Sequence, residues 1–122
     1  MPSYWIVGAM YGGGDNQASK FVRRGYWKLG WEDDEQPNMA KRRDQIKPND
    51  RIAIKRMMGR GASDIRITAL GVVTETDLED GREYVRWIAD DLDRVVDARG
   101  CFGTIHGPFV EGDDWVKEIF WL

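Results

Sequence analysis

Very little in this chain could hold a metal or close a disulfide. There is one cysteine, Cys101, and one histidine, His106, in 122 residues. A single thiol makes no internal bridge, and one thiol with one imidazole falls short of the ligand set of a structural zinc. No apolar run approaches the roughly 20 residues that span a bilayer, and the opening "MPSYWIVGAMYGG" lacks the basic start and apolar core of a secretory signal. The expectation is a cytoplasmic protein with no membrane partner.

Catalytic side chains are equally scarce. The serines are Ser3, Ser19 and Ser63, none in a G-x-S-x-G turn. Cys101 and His106 are five residues apart, which in a regular strand places them on opposite faces, and most free cysteines are small buried residues rather than nucleophiles. "GGGD" at 12–15 sits where a phosphate loop would, between strand and helix, but it lacks G-x-x-x-x-G-K-[ST] and carries an acid that repels phosphate. Acid runs at Glu32–Glu35 and Asp90–Asp93 are what a solvated surface looks like. Neither a metal nor a cofactor is expected.

What is present is tryptophan and an uneven charge. Six indoles occur, at 5, 27, 31, 87, 115 and 121. Trp5 and Trp87 fall in strand-like segments and suit core packing. Trp27 and Trp31 lie in "RGYWKLGWEDDEQP" beside Arg24 and Lys28, and two readings are open for them. They stack on a planar ligand while neighbouring cations grip phosphates, or they plug the end of the fold from beneath a loop. Net charge is −3, yet residues 20–66 carry 13 Lys and Arg against 7 Asp and Glu, while residues 67–122 carry 5 against 13. The positive middle third is a candidate phosphate surface.

The length suits one domain, taken as 1–122. "SYWIVGAM" alternates as a first strand, and the glycines at 12–14 end it. A helix follows, capped by Asp15 or Asn16, with Ala18, Phe21 and Val22 on one face and Gly25 as its stop. Tyr26 to Glu35 shows no period and reads as a loop; Pro37 opens a second, mostly polar helix. "KPND" turns the chain into the strand "RIAIKR", and "MMGRGAS" separates this from a long strand, "DIRITALGVVTE", in which Gly71 marks a bulge. "EDG" then leads to "REYVRWI", with Val85 and Trp87 on one face. "GCFGTIHGPF" holds a further strand, and both helical and strand periods fit "DDWVKEIFWL". This order predicts an α+β domain whose mostly antiparallel sheet curls around one core as an open barrel.

Taken together, "YWIVGA", "NQASKFVRRGYW", "GWEDD", "IKPNDRIAIKR" and "ITALGVVTE" resemble the PUA-like superfamily, most closely the EVE-type domains at the N-termini of McrB-type restriction ATPases. The similarity covers about residues 3–88, with "GTIHGPF" also family-like. It implies a PUA-like curled sheet, an open pseudo-barrel with flanking helices, that takes a modified base into an aromatic cage. On that resemblance Trp27 is one cage wall and Trp31 a second wall or floor. Gly8 and Ala9 bring backbone groups to the base edge, and Tyr11 stacks or hydrogen-bonds. Lys55, Arg56 and Arg60, with Arg24 and Lys28, face the phosphates. An acid such as Asp33 or Asp34 is a candidate for reading the base edge. Many relatives carry Lys-Ser where this chain has Gly8-Ala9, which removes side-chain base contacts there.

The function expected is therefore non-enzymatic recognition of DNA or RNA carrying a modified, methylated base, flipped out or single-stranded. A separate nuclease or ATPase would act as effector. Two alternatives stand beside it: a small ASCH-like enzyme acting on a nucleoside or RNA, using His106 or Lys55 with an acid, and a protein-interaction module without a nucleic-acid ligand, which the net negative charge keeps open.

Overall fold

The structure, a computed structural model, describes residues 1–12, 14–31 and 34–122. Nine strands and three short helices are assigned among them: β1 (Tyr4–Gly8), β2 (Met10–Tyr11), β3 (Asp15–Asn16), α1 (Ala18–Arg24), β4 (Tyr26–Lys28), α2 (Pro37–Arg43), β5 (Arg51–Met57), β6 (Asp64–Asp77), β7 (Arg82–Ala89), β8 (Arg94–Asp97), β9 (Ile105–Phe109) and α3 (Asp114–Phe120). Seven strands form one curled sheet in the order β4-β7-β6-β5-β1-β9, with β8 alongside β6, while β2 and β3 pair separately. Every pairing is antiparallel except β1 with β5. The expected α+β curled sheet is the fold observed.

The sheet buries apolar side chains on both faces. Trp5 and Val7 of β1 join Phe21, Trp27, Ile46, Ile52, Ile54 and Val85 in one cluster. Tyr4 and Ile6, alternating with them, join Ile65, Ile67, Leu70 and the inner face of α3 in the other. This explains why β1 reads as an unbroken apolar run: a strand covered on both sides has no polar face to show. Each such side chain contributes about 1.5–3 kcal/mol on burial.

Local signals account for most boundaries. Asn16 Oδ1 accepts the Ala18 N–H at 3.0 Å at the start of α1, and Gly25, at φ 77°, ends it by donating its N–H to Phe21 O. Gly71 sits where the register of β6 against β7 shifts. A Cβ there would stand 2.4 Å from Val85 Cγ1 and 2.8 Å from Trp87 Cε3, so only glycine lets β7 pack this closely. At the C-terminus the ambiguity resolves to helix. Asp113 accepts the Trp115 N–H at 2.9 Å, and Trp115, Val116, Ile119 and Phe120 fall on the buried side.

Two segments differ from expectation. Tyr26–Lys28 is not loop but strand β4, paired with β7 through Tyr26↔Tyr84 and Trp27↔Glu83. Three residues are too few to display a period; both rings are buried in the same cluster, with Phe21 and Arg82 packed against Tyr26. The second is Arg94–Asp97, which adds to β6 as β8.

Candidate ligand-binding cleft

Among the described residues four polar or charged ones are buried: Arg43, Asp50, Lys55 and Glu83. Each buried charge has to be paired, hydrogen-bonded or neutralised. Asp50 accepts from Ser3 N, Trp5 Nε1 and Lys47 N, at 2.9 to 3.0 Å. Arg43 pairs with Asp44 at 2.9 Å. Glu83 is pushed up to about 8 by burial, against the pull of Arg43, so its carboxyl is largely protonated at neutral pH.

Lys55 is the exception. It is 5% exposed, and its one hydrogen-bond partner among the described residues is the thioether of Met57 at 3.5 Å, a weak acceptor. No described carboxylate forms an ion pair with it. Burial holds its pKa below the ordinary lysine value, against an opposing influence of Cys101. The ammonium lies against an open concavity of about 520 Å³, lined by Gly8–Met10, Asn16, Ala18, Ile54–Met57, Thr68 and Phe102–Thr104.

The fold puts it there in three steps. β1 and β5 run parallel with Gly8 opposite Lys55. Because residue 8 has no side chain, nothing from β1 covers the amine; a Cβ there would lie 3.9 Å from Nζ. The β5–β6 register slips between Ile54↔Ala69 and Lys55↔Ile67, leaving Thr68 as the extra residue. Bulges of this kind re-aim side chains. The cleft's third wall comes from the turn before β9, where Gly8 N donates to Thr104 O at 2.7 Å and Gly103 N donates to His106 Nε2 at 2.9 Å.

The apolar part of the lining is exposed: Phe102 is 50%, Met10 44% and Met57 42% accessible. An aromatic face, two thioethers and a buried cation on one concavity suit a planar ligand carrying an acceptor or a negative group. Arg56, exposed at the end of β5, stands on the rim. His106 is held below its usual pKa by burial and by the charges of Lys55 and Arg42, so it is a neutral brace for the 103 turn. Cys101 is buried and its thiol is raised, by burial first, away from the thiolate.

The sequence-predicted residues divide between two places. Gly8, Ala9, Lys55 and Arg56 meet at this cleft. Tyr11, Lys28 and Trp31 meet at a separate concavity of about 750 Å³ that also takes in Tyr26 and Arg82. There Tyr11 donates its hydroxyl to Lys28 O at 2.6 Å, burial raises it to about 12, and Trp31 stands 43% exposed. Arg24 and Arg60 are exposed and line neither concavity. Asp33 lies outside the described residues; Asp34 borders the Trp31 side.

Trp27 requires a correction. Its ring is 0% exposed within the core, and its Nε1 donates to Gly8 O at 2.9 Å. It walls no ligand space; it fixes the end of β1 from beneath, because a buried indole N–H must find an acceptor and the terminal carbonyl of β1 is within reach. Of the two open readings, plugging the fold is the one observed for Trp27. The backbone edge expected of Gly8 and Ala9 is also largely engaged, with Gly8 N and O bonded as above and Ala9 O accepting from Gln17 N at 2.7 Å. Phe102, Met10, Met57 and Thr104 were missed. The one available signal was a phenylalanine flanked by small residues in "GCFGT", where a buried ring would be out of place.

Among the described residues no group of three or more His, Cys, Asp or Glu is placed to hold a metal, and no helix is long and apolar enough to cross a membrane. In comparisons with known proteins, no family model, no curated protein and no solved structure gave a significant match to this chain.

Proposed function

We propose that this chain is a nucleic-acid-binding domain that takes a modified base, flipped out or single-stranded, into the cleft beside Lys55 and does not itself transform it. The observation that carries the proposal is Lys55, an ammonium buried without an ion-pair partner among the described residues, beside an open concavity that also presents Phe102, Met10 and Met57. A cation held out of water without an anion is costly, and a ligand that supplies the missing acceptor recovers that cost. Phe102 offers a stacking face worth about 1–3 kcal/mol per base, and Arg56 on the rim suits the adjoining phosphate. The resemblance of the strand-helix-tryptophan order to EVE-type domains supports the same reading, with the cage moved from Trp27 to Phe102 and the two methionines. On this reading DNA or RNA is the partner, and a separate nuclease or ATPase acts on what is bound.

The test is fluorescence anisotropy with labelled single-stranded oligonucleotides that differ only in methylation of one central base, at two salt concentrations. Affinity should depend on the modification, fall with salt in proportion to the phosphates neutralised, and drop about tenfold in Phe102→Ala, in line with the loss of one stacking contact. Affinity that ignores both the modification and Phe102→Ala overturns the proposal.

A further inference from the structure

The cleft also carries information on which edge of a base it can accept. This inference rests on the base-reading proposal and narrows it. Lysine brings three donors and no acceptor. Several backbone acceptors along the same space are already engaged inside the protein: Gly8 O by the Trp27 indole at 2.9 Å, Ala9 O by Gln17 N and Thr104 O by Gly8 N, both at 2.7 Å. Asn16 Oδ1 is taken by Ala18 N at 3.0 Å, and Ile54 O accepts from the Thr68 hydroxyl at 3.4 Å. The one buried charged group on the lining is a donor, the Lys55 ammonium, whose partner among the described residues is only the weakly accepting Met57 thioether.

We infer that the site selects a base presenting carbonyl acceptors, of the guanine or uracil and thymine type, over one presenting an exocyclic amine at the same edge. A carbonyl, or the O6/N7 pair of guanine, matches a lysine ammonium directly. An adenine or cytosine amine set against Lys55 puts donor against donor, so neither gains the acceptor that a carbonyl would supply. Methyl groups on the preferred base would contact Phe102 and the thioethers of Met10 and Met57, which accept apolar surface without asking for a hydrogen bond.

The experiment uses the whole chain and one single-stranded sequence in which the central nucleotide is, in turn, thymine, uracil, O6/N7-presenting guanine, adenine, N6-methyladenine, cytosine or 5-methylcytosine. Dissociation constants are compared at one salt concentration for the native chain and for Lys55→Met, whose thermal unfolding is recorded alongside. The expected result is at least about tenfold tighter binding of the carbonyl-edged bases than of the amine-edged ones. The gap should close in Lys55→Met, a variant that still unfolds at or above the native temperature. Tighter binding of the amine-edged bases, equal binding of the two classes with methylation still discriminated, or a preference that survives Lys55→Met overturns the inference and leaves base reading standing. Indifference to the central nucleotide, methylated or not, overturns both.

Discussion

The two ends of β5 hold two buried charges in opposite circumstances. Before its first residue, Asp50 gathers three N–H donors, including the Trp5 indole, and the sheet is closed around it. Near its last residues, Lys55 is as deeply buried and has only a thioether. The same strand thus ends in a satisfied structural charge on one side and an unsatisfied one on the other. A buried ion with so weak a partner beside open space differs from one locked by three donors, and that contrast is what makes the Lys55 end the candidate site.

The largest effect should come from breaking the closed end. Asp50→Ala removes the acceptor of three donors at once and leaves the Trp5 N–H orphaned in the core, for a loss of about 3 kcal/mol or more. Urea unfolding monitored by tryptophan emission measures it. A loss below 1 kcal/mol, on the order of a single surface contact, would mean that Asp50 is not the anchor described.

At the open end the sign reverses. Lys55→Met should stabilise the free protein by about 1–2 kcal/mol at neutral pH, because it removes an uncompensated buried cation while keeping a long apolar stem. The pH dependence follows from the direction of the shift. Burial depresses the folded pKa of Lys55 below its unfolded value, so between the two the unfolded chain binds the extra proton and native stability rises with pH. The advantage of the methionine variant should therefore shrink as pH climbs towards the ordinary lysine range, which melting curves taken from neutral to alkaline pH will show. A destabilised Lys55→Met would mean that the ammonium is already well satisfied. The smallest effect sharpens the contrast: Gly8→Ala places its Cβ 3.8 Å from Thr104 and 3.9 Å from Lys55 Nζ, ordinary contacts. Stability should move by no more than about 0.5 kcal/mol, as judged by the same urea midpoint.

Much of this frame was legible in the residues alone. The stop at Gly25, the turn before Arg51, the bulge at Gly71 and the alternation of β7 are local signals, and each is where it was expected. What failed was whatever depends on a distant partner. Trp27 sits beside cations in a short aromatic stretch, and nothing within that stretch announces that its indole will meet Gly8 O on another strand. The burial of Lys55 was hidden in the same way. "RIAIKR" suggests a cation near a strand end, but the absent side chain at Gly8 and the slip opposite Thr68 set its depth. Gly8, Ala9, Lys55 and Arg56 line one concavity, while Tyr11, Lys28 and Trp31 line another, a division that no local pattern in the sequence announces.

The parallel pairing of β1 with β5 has one more consequence. Between those neighbours the chain must travel through two helices and the edge strand β4, and the third wall arrives only with the turn before β9. The contacts that bring the walls of the cleft together, β1 with β5 and Gly8 with Thr104, are therefore remote along the chain, and their loop-closure entropy is met only when the whole sheet condenses. Cutting the polypeptide within that crossover would keep each lining residue and still abolish the cavity, so ligand capture and cooperative folding should be lost in a single event.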